Sequence, residues 1–186
     1  RQMCIRDSEK TNHFIGEHIN DDIKILALSG DRYPKIDIKA VSGIISLYQK
    51  AILKLPEHYK KRAAFNAKSY EQCTSEIVAL FKCSIMDISG KSIINISGGI
   101  GIDDWAMAQT AEKIDSCDLD EEVHMMANYN IGLFGHHNIE RHLIDGIKFI
   151  KDNSKTDIIY ADPDRRPASK KVFRLENCEP DILSHL

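Results

Sequence analysis

Residues that could hold a nucleotide-like cofactor follow a short apolar run near the middle of the sequence. The run from Ile93 to Ile96 leads directly into a turn made of Ser97, Gly98, Gly99 and Gly101. Glycine permits positive φ and close backbone approach, so the Ser97 hydroxyl and the following amides can donate hydrogen bonds to a ligand. Asp103 and Asp104 come next, and their charge at a helix start suits a cationic cofactor better than a pyrophosphate. The turn indicates a cofactor site, with an ordinary strand-to-helix turn as the alternative.

Two further acids stand after the second and third apolar runs. Asp118 lies about twenty residues past Gly98, the spacing at which an acid accepts both hydroxyls of a ribose in nucleotide-binding folds. That spacing does not distinguish NAD from an adenosyl cofactor, because both carry the ribose, and a solvated acidic cluster is the alternative. Asp145 precedes Gly146 and can accept from an exocyclic adenine N–H, cap a helix, or do both.

A fourth apolar run ends in the segment Asp162-Pro163-Asp164-Arg165-Arg166. We predict the Asp162 carboxylate, on a loop stiffened by Pro163, at the carboxyl edge of a sheet, where ligands bind. Asp162 can accept from a target amine and orient its lone pair toward an electrophilic methyl group, since methyl transfer depends mainly on positioning. Arg165 and Arg166 can hold a substrate phosphate. A surface loop with intrachain ion pairs is the alternative.

Composition limits the class of protein. The 186 residues are 42% apolar and 28% charged, with a formal net charge of −3, which gives no global attraction to nucleic acid. No apolar run approaches the roughly 18 residues of a transmembrane helix. Cysteines at positions 4, 73, 83, 117 and 178 form no C-x-x-C pair, which indicates reduced thiols and a cytoplasmic location. His136, His137 and His142 match no zinc spacing, so we predict no metal site.

The elements that must position these residues follow from the spacing of apolar side chains. Residues 9–86 show helical periodicity, which predicts a helical N-terminal domain. In residues 87–186 short apolar runs alternate with helical segments, the pattern of right-handed βαβ units. We therefore expect an α/β protein whose second domain is a Rossmann-like parallel sheet with flanking helices, limited to its first four strands and C-terminally truncated. Residues 1–8 lack periodicity and are expected to be a non-native scar.

The spacing of apolar residues also predicts where each strand and helix begins and ends. Strands are predicted at 92–96, 114–118, 139–143 and 157–161, and helices of the second domain at 104–112, 121–133 and 146–151. In the first domain, Asp37 is expected to cap a helix that Pro56 ends. Ser69 and Gln72 resemble a capping box for another helix. Its apolar face is expected to consist of Cys73, Ile77, Leu80 and Phe81.

The most basic part of the chain runs from Lys50 to Lys68. It contains six basic residues against the single acid Glu57. We predict a phosphate-backbone patch for RNA here, with three aromatic residues available for stacking on bases, Tyr48, Tyr59 and Phe65. A solvated helix end with ordinary lysines is the alternative.

Along the chain a glycine turn is followed by an acid after the second strand, an Asp after the third and Asp-Pro after the fourth. This order is similar to that of class I S-adenosylmethionine-dependent methyltransferases. The relevant segments are 70–76 (YEQCTSE), 95–103 (NISGGIGID) and 160–166 (YADPDRR). More narrowly, they resemble the bacterial THUMP-like-domain methyltransferases, which are relatives of RNA cap guanine-N2 methyltransferases. The tail 171–180 (KVFRLENCEP) matches as well, so the resemblance spans residues 10 to 186.

The resemblance implies a Rossmann-like methyltransferase with S-adenosylmethionine as cofactor and RNA as substrate. It implies that a helix at 71–76 covers the cofactor and that Asp162 and Pro163 form the catalytic edge. Two other functions stay open: an NAD-dependent oxidoreductase, which the lack of a third fingerprint glycine disfavours, and a non-catalytic fragment that binds nucleic acid through the basic stretch. The implied cofactor contacts are Asn95, Ser97, Gly98, Gly99, Gly101, Asp103, Asp118 and Asp145.

Overall fold

The computed structural model describes residues 9–153 and 155–163, together with residues 174, 177 and 178. The chain divides into two compact units, the first ending at Glu71 and the second beginning at Gln72. The predicted domain limit after residue 86 falls inside the second unit. The N-terminal octapeptide, Arg165 and Arg166 lie outside the described residues.

The first unit is helical, because its apolar residues recur at three- and four-residue steps. Its longest helix begins after Asp37, whose Oδ1 accepts a hydrogen bond from the Ala40 amide at 3.0 Å, which confirms the predicted cap. Pro56 follows the end of that helix and starts the next one. The helices that begin in this unit are α1 (Glu9–Glu17), α2 (Ile23–Ala27), α3 (Ile38–Lys54), α4 (Pro56–Lys60) and α5 (Ala67–Gln72).

Aromatic side chains form part of the core of the first unit. Tyr48 and Phe65 are 3% and 2% exposed, and their ring centroids lie 5.5 Å apart. The Tyr48 hydroxyl donates to the carbonyl oxygens of Arg62 and Ala63 at 2.9 and 3.2 Å. The prediction that these two rings stack on nucleic-acid bases is therefore wrong, because their large apolar area stabilises the fold when buried.

The predicted capping box at Ser69 is also wrong. Ser69 lies buried inside α5, and Asn66 supplies the cap: its Oδ1 accepts from the Ser69 amide at 2.8 Å, and the Ser69 Oγ accepts from the Asn66 amide at 3.0 Å. These reciprocal bonds are those of a capping box, displaced three residues toward the N-terminus. The chain then leaves the helix at residues 73–75, and a separate helix, α6 (Glu76–Ile85), follows.

Helix α6 presents a different face from the one predicted. Ile77 and Phe81 are 76% and 61% exposed, whereas Ala79 is fully buried. Cys83, on the same side as Ala79, packs against the core of the second unit around Met107. The break at residues 73–75 rotates the helix away from the register expected for one continuous helix, so the apolar stripe no longer faces inward.

The second unit is built on a four-stranded parallel sheet with the strand order β3-β2-β1-β4. The chain moves outward from β1 through β2 to β3 and then returns to pair β4 with β1. This topology confirms the predicted Rossmann-like sheet. The strands β1 (Ser92–Asn95), β2 (Lys113–Asp118), β3 (Ile139–Leu143) and β4 (Ile158–Tyr160) alternate with α7 (Ile102–Met107), α8 (Glu121–Phe134) and α9 (Gly146–Asp152).

The centre of the sheet is covered on both faces. Ile93 and Ile94, which point to opposite faces of β1, are only 1% and 2% exposed. The strand order reverses between β1 and β4, and ligands of open parallel sheets bind outside the carboxyl ends of the strands at such a point. The fold therefore predicts a ligand site at the residues that follow β1 and β4. None of the described helices is long and apolar enough to span a bilayer.

Candidate functional site

The glycine turn connects β1 to α7 at the carboxyl edge of the sheet. Gly99 and Gly101 have φ values of 52° and 87°, a left-handed conformation that residues with a Cβ rarely adopt. Gly98 is required for another reason, because a Cβ at this position would collide with the Arg141 guanidinium and the Ser116 hydroxyl. The turn thus brings its backbone close to the Arg141 and Ser116 side chains, and this is the kind of close approach that glycine permits.

A buried ion pair lies beneath the turn. The side chains of Asp104 and Arg141 are both 0% exposed, with Arg141 Nη1 3.2 Å from Asp104 Oδ2. The Ser116 hydroxyl donates to the same carboxylate oxygen at 2.5 Å and accepts from Arg141 Nη1 at 2.8 Å. Arg141 Nη2 donates to the Gly99 carbonyl oxygen at 3.0 Å. This network joins β2, β3 and α7 to the turn and holds the turn in one conformation.

Asp104 and Asn95 therefore lie elsewhere than expected. Asp104 points inward, so of the two acids predicted to form an acidic rim only Asp103 remains there. Asn95 is 1% exposed; its Nδ2 donates to Asp104 Oδ1 at 2.6 Å, and its Oδ1 accepts from the Ser97 amide at 3.1 Å. The Asn95 amide is engaged inside the protein instead of at the cofactor surface, because a buried carboxylate requires hydrogen-bond donors.

Asp118 lies beside the turn at the end of β2. Its Oδ2 accepts from the Gly99 amide and its Oδ1 from the Asp120 amide, both at 2.9 Å. A carboxylate offers about four lone-pair positions, so each oxygen keeps the capacity to accept from a ligand hydroxyl. Asp145 caps α9, since its Oδ1 accepts from the first two amides after Gly146 at 2.8 and 3.1 Å. Its adenine contact stays a prediction.

A charged cluster lies where β1 and β4 end. Lys82, from α6, places its Nζ 2.8 Å from the Tyr160 hydroxyl, 2.9 Å from Asp162 Oδ2 and 3.2 Å from Asp103 Oδ1. The Thr74 hydroxyl donates to Asp103 Oδ2 at 2.9 Å and lies 3.3 Å from Lys82 Nζ. The cluster brings together two predicted site residues, Asp103 and Asp162, and adds three that the sequence analysis missed.

Ser97 connects this cluster to the glycine turn. Its Oγ accepts a hydrogen bond from the Asp162 amide at 2.8 Å. The carboxyl ends of β1 and β4 are thus joined across the point where the strand order reverses. Pro163 follows directly and limits the backbone φ after Asp162. The Asp162 carboxylate, which is 46% exposed, therefore projects from a backbone held on both sides.

Burial and charge shift the pKa values of this cluster. Burial raises the pKa of Asp103 above its usual range, although the Lys82 charge and the Thr74 hydrogen bond act in the opposite direction. Burial alone would lower the pKa of Lys82, but hydrogen bonds to Tyr160 and Asp162 and the charge of Asp103 raise it. Burial and the Asp103 charge raise the pKa of Tyr160 to about 12. At neutral pH Lys82 is a cation and Tyr160 a neutral phenol, so neither serves as a general base.

The basic stretch belongs to the first unit, and half of its charges are used within that unit. Lys54 donates to backbone carbonyl oxygens, Lys60 pairs with Glu57 at 2.6 Å, and Arg62 donates to a carbonyl oxygen of α1 at 3.3 Å. These contacts are those of an ordinary helix end. The other three basic residues are exposed lysines: Lys50, Lys61 and Lys68.

A second polar cluster lies on β2 and β3. Potential metal-ligand atoms of Asp115, Glu140 and His142 lie within 4.8 Å of one another, and His142 Nε2 is 2.8 Å from Asp115 Oδ1. Lys113 Nζ lies 3.0 Å from Asp115 Oδ2 and 3.4 Å from Glu140 Oε2. The Lys113 ammonium already supplies the positive charge that the two carboxylates need, so this is an ion-pair network.

One of the residues missed from the sequence carried a usable signal. Arg141 lies two residues from both Ile139 and Leu143 in β3. Side chains two residues apart in a strand point to the same face, so a charged residue lies on the same face as two apolar ones. A charge in that position indicates a buried partner, because charged side chains are rarely buried unpaired. Lys82 carried no such signal, since its direction depends on the helix break at residues 73–75.

No protein-family model and no curated protein matches the sequence. Among solved structures, that of a "putative methyltransferase" from Porphyromonas gingivalis W83 is similar, with a TM-score of 0.72 and 23% identity over 95% of this chain and 45% of that one. This chain therefore spans less than half of that protein's length. The likeness shows the fold alone: this chain shares its fold, including the Rossmann-like sheet of the second unit, with that protein.

Two further solved structures match less closely. A "putative RNA methyltransferase" from Pyrococcus horikoshii has a TM-score of 0.46 and 20% identity, over 59% of this chain and 52% of that one. A SAM-dependent methyltransferase from Agrobacterium tumefaciens has a TM-score of 0.42 and 22% identity, over 59% of this chain and 37% of that one.

Proposed function

We propose that this protein is an S-adenosylmethionine-dependent methyltransferase. The observation that carries the proposal is the convergence of the glycine turn, Asp118 and Asp162 on one edge of the sheet, where the strand order reverses. A Rossmann-like fold hosts many reactions, so the proposal depends on these side chains and not on the fold. The description of the Porphyromonas gingivalis protein agrees with it.

The residues at this edge fit the chemistry of an adenosyl cofactor. Asp118 keeps acceptor positions for ribose hydroxyls beside a turn whose backbone adopts positive φ. Asp103 and Asp162 bring two carboxylates against the one ammonium of Lys82, which favours a cofactor with sulfonium and ammonium groups. The same two carboxylates would repel a pyrophosphate, which disfavours NAD.

When bound, the cofactor supplies an electrophilic methyl group. Asp162 would accept a hydrogen bond from a target amine and direct the nitrogen lone pair along the line of transfer. Ser97 and Pro163 hold the backbone on either side of Asp162, which reduces the freedom of the carboxylate. Asp118 would hold the ribose and Asp145 the exocyclic adenine N–H. The protein's part in the reaction is thus mainly orientation.

We further propose RNA as the substrate and the THUMP-like branch, related to the cap guanine-N2 enzymes, as the nearer family. The three motif segments support the branch, and the exposed lysines Lys50, Lys61 and Lys68 offer contacts to phosphates. A cytoplasmic location is proposed on the free thiols of Cys83, Cys117 and Cys178.

Calorimetry tests the cofactor assignment. S-adenosylhomocysteine and NADH are titrated separately into the protein, and we expect the first to bind and the second not to bind. Binding of NADH without binding of S-adenosylhomocysteine would replace the proposal with an NAD-dependent oxidoreductase.

Transfer of a labelled methyl group tests the reaction and its substrate. Tritiated S-adenosylmethionine is incubated with total RNA, with RNase-digested RNA and with a protein extract. We expect label in the intact RNA only. Label in the protein extract instead would reject RNA as the substrate. Retained RNA binding with no label in any sample would favour a non-catalytic nucleic-acid-binding protein.

A further inference from the structure

Lys82 stands at the centre of the charged cluster, yet the proposed reaction assigns it no task. Its Nζ lies 2.8 to 3.3 Å from oxygen atoms of four residues, Tyr160, Asp162, Asp103 and Thr74. An ammonium has three N–H donors, so these oxygens engage all of them. Lys82 therefore acts through its protein neighbours and not by direct contact with a ligand.

The Asp162 side chain depends on this ammonium for its direction, since Lys82 Nζ lies 2.9 Å from Asp162 Oδ2. The neighbouring carboxylate of Asp103 is only 15% exposed, and both carboxylates lie within 3.5 Å of the Thr74 hydroxyl. Two carboxylates that both lie this close to one hydroxyl group repel each other unless a cation lies between them. Lys82 is that cation, 2.9 Å from Asp162 and 3.2 Å from Asp103.

We propose that Lys82 is a positioning residue whose ammonium fixes the direction of the Asp162 carboxylate and offsets the repulsion between that carboxylate and Asp103. The inference rests on the proposed methyltransferase function, in which Asp162 accepts from a substrate amine. Two elements then hold Asp162 independently: Ser97, after β1, binds its amide, and Lys82, from α6, binds its side chain. Helix α6 becomes part of the site through this contact of Lys82 with Asp162.

The charge balance around Lys82 is set by its neighbours from three sides. Asp103 comes from α7, and Tyr160 and Asp162 come from β4 and the loop after it. Thr74 precedes α6, and Cys83 follows Lys82 within it. Burial and the Asp103 charge raise the pKa of the Cys83 thiol to about 11, so the thiol is neutral at pH 7, as is Tyr160. Removal of the ammonium leaves two like charges side by side, which raises the pKa of Asp103 further.

Three substitutions of Lys82 separate charge from structure. Lys82→Met removes the charge and keeps most of the length, Lys82→Gln is a neutral second variant that still donates hydrogen bonds, and Lys82→Arg keeps the charge. The matched control is Lys113→Met, which removes a lysine that also pairs with two carboxylates, but on β2 and β3. Thermal unfolding of each variant establishes that it is folded before other measurements are compared.

The first readout needs no cofactor. The side-chain carboxyl carbon of Asp103 is titrated by 13C NMR, and its apparent pKa is expected to rise further in Lys82→Met and Lys82→Gln, because the Lys82 charge opposes the rise that burial causes. Lys82→Arg and Lys113→Met are expected to titrate like the wild type. Unchanged titration in both neutral variants overturns the proposal, whether or not methyl transfer is detected.

The second readout is the pH profile of methyl transfer. In Lys82→Met we expect kcat at pH 7 to fall about tenfold to a hundredfold, the acidic limb to move to higher pH, and Lys82→Arg to recover most of the rate. A shifted titration with an unchanged rate and profile overturns the positioning role. Failure of the proposed function is recognised separately, because wild type and Lys113→Met then bind no S-adenosylhomocysteine, while the titration of Asp103 still decides whether Lys82 offsets the repulsion between the two carboxylates.

Discussion

The acids after the glycine turn show that the role of a residue depends on the direction of its side chain. Asp103 and Asp104 are neighbours in sequence, but Asp103 faces Lys82 whereas Asp104 is fully buried on Arg141. Successive side chains of a helix point about 100° apart, so neighbours contact different surroundings. Of these two acids, only Asp103 brings negative charge to the proposed site, whereas Asp104 supports the turn from below.

Asp118→Asn is expected to weaken S-adenosylhomocysteine binding by about 1–3 kcal/mol, as measured by calorimetry. Asparagine keeps the size but loses the charge and one acceptor oxygen, and the Gly99 and Asp120 amides compete for the acceptor that remains. Asp120→Ala is the matched control, since it removes the α8 cap at a cost of about 1 kcal/mol in stability but leaves the affinity unchanged. Equal affinities of Asp118→Asn and wild type would refute the ribose contact.

At the scale of the elements, the turn after β1 depends on β3, although β2 lies between the two strands. Arg141 crosses this distance and binds both the Gly99 carbonyl oxygen and the Asp104 carboxylate. A buried ion pair of this kind contributes little net stability, because desolvation offsets the attraction, but removal of one partner is costly. The pair therefore defines the conformation of the turn more than it stabilises the unit.

Gly98→Ala is expected to lower the free energy of unfolding by about 1–3 kcal/mol, as measured by urea unfolding. The new Cβ displaces the Arg141 guanidinium and the Ser116 hydroxyl, which are buried and cannot move freely. Gly132→Ala in α8 is the control: nothing lies within 4 Å of its Cβ, and the change is expected to be neutral or stabilising by up to about 1 kcal/mol. Equal free energies of unfolding for Gly98→Ala and wild type would show that the buried network accommodates the added methyl group without loss of stability.

Strand β4 is attached to β1 by a pH-sensitive contact. Asp157 Oδ2 accepts from the Ser92 amide at 2.8 Å and from the Ser92 hydroxyl at 2.7 Å, and these bonds lower the pKa of Asp157. A lowered folded-state pKa contributes stability above the unfolded value of about 3.9, and this contribution is lost as the pH falls through the folded value.

Asp157→Asn is therefore expected to unfold at a lower temperature than wild type at pH 7, with a difference that shrinks as the pH falls below the ordinary aspartate pKa of about 3.9. Thermal unfolding followed by circular dichroism across this range measures the difference. Asp152→Asn, at the exposed end of α9, is the control and is expected to follow the wild type at each pH. A difference that stays constant from pH 7 to low pH would contradict the charge-dependent contact.

At the scale of the whole molecule, the net charge of −3 conceals a local excess of positive charge. Charges on a protein surface act over about 8–10 Å at moderate salt, so a local group of lysines attracts phosphates whatever the total charge. The proposed RNA contact is thus a property of the surface around Lys50, Lys61 and Lys68, and the total charge does not decide it.

Replacement of Lys50, Lys61 and Lys68 by glutamine is expected to weaken binding of single-stranded RNA. Each lost phosphate contact reduces the slope of log K against log salt by about 0.7, so the slope falls by about 2. Fluorescence anisotropy across a series of salt concentrations measures both quantities. The control replaces three exposed lysines of the same unit outside the stretch, Lys24, Lys35 and Lys39. Equal salt slopes for the two triple variants would reject a specific patch.

Sequence patterns predicted the sheet more accurately than the helices around the site. Strand β3 was predicted at its observed limits, Ile139–Leu143, because a strand between turn residues is defined by its own side chains. Helix α7 was predicted at 104–112 but spans Ile102–Met107, since the positive φ of Gly101 starts it earlier. The register of α6 was missed because it depends on a break that the apolar pattern does not mark.

The sequence by itself determined the alternation of strands and helices, the glycine turn, and the acids that follow β2 and β4. These features depend on local periodicity and on the backbone freedom of single residues. Only the tertiary structure decided that Lys82 meets Asp162, eighty residues later, and that Arg141 holds Asp104 beneath the turn. Such contacts depend on strand order and on the rotation of each helix. Both are set by packing between elements, which the spacing of residues along the chain does not encode.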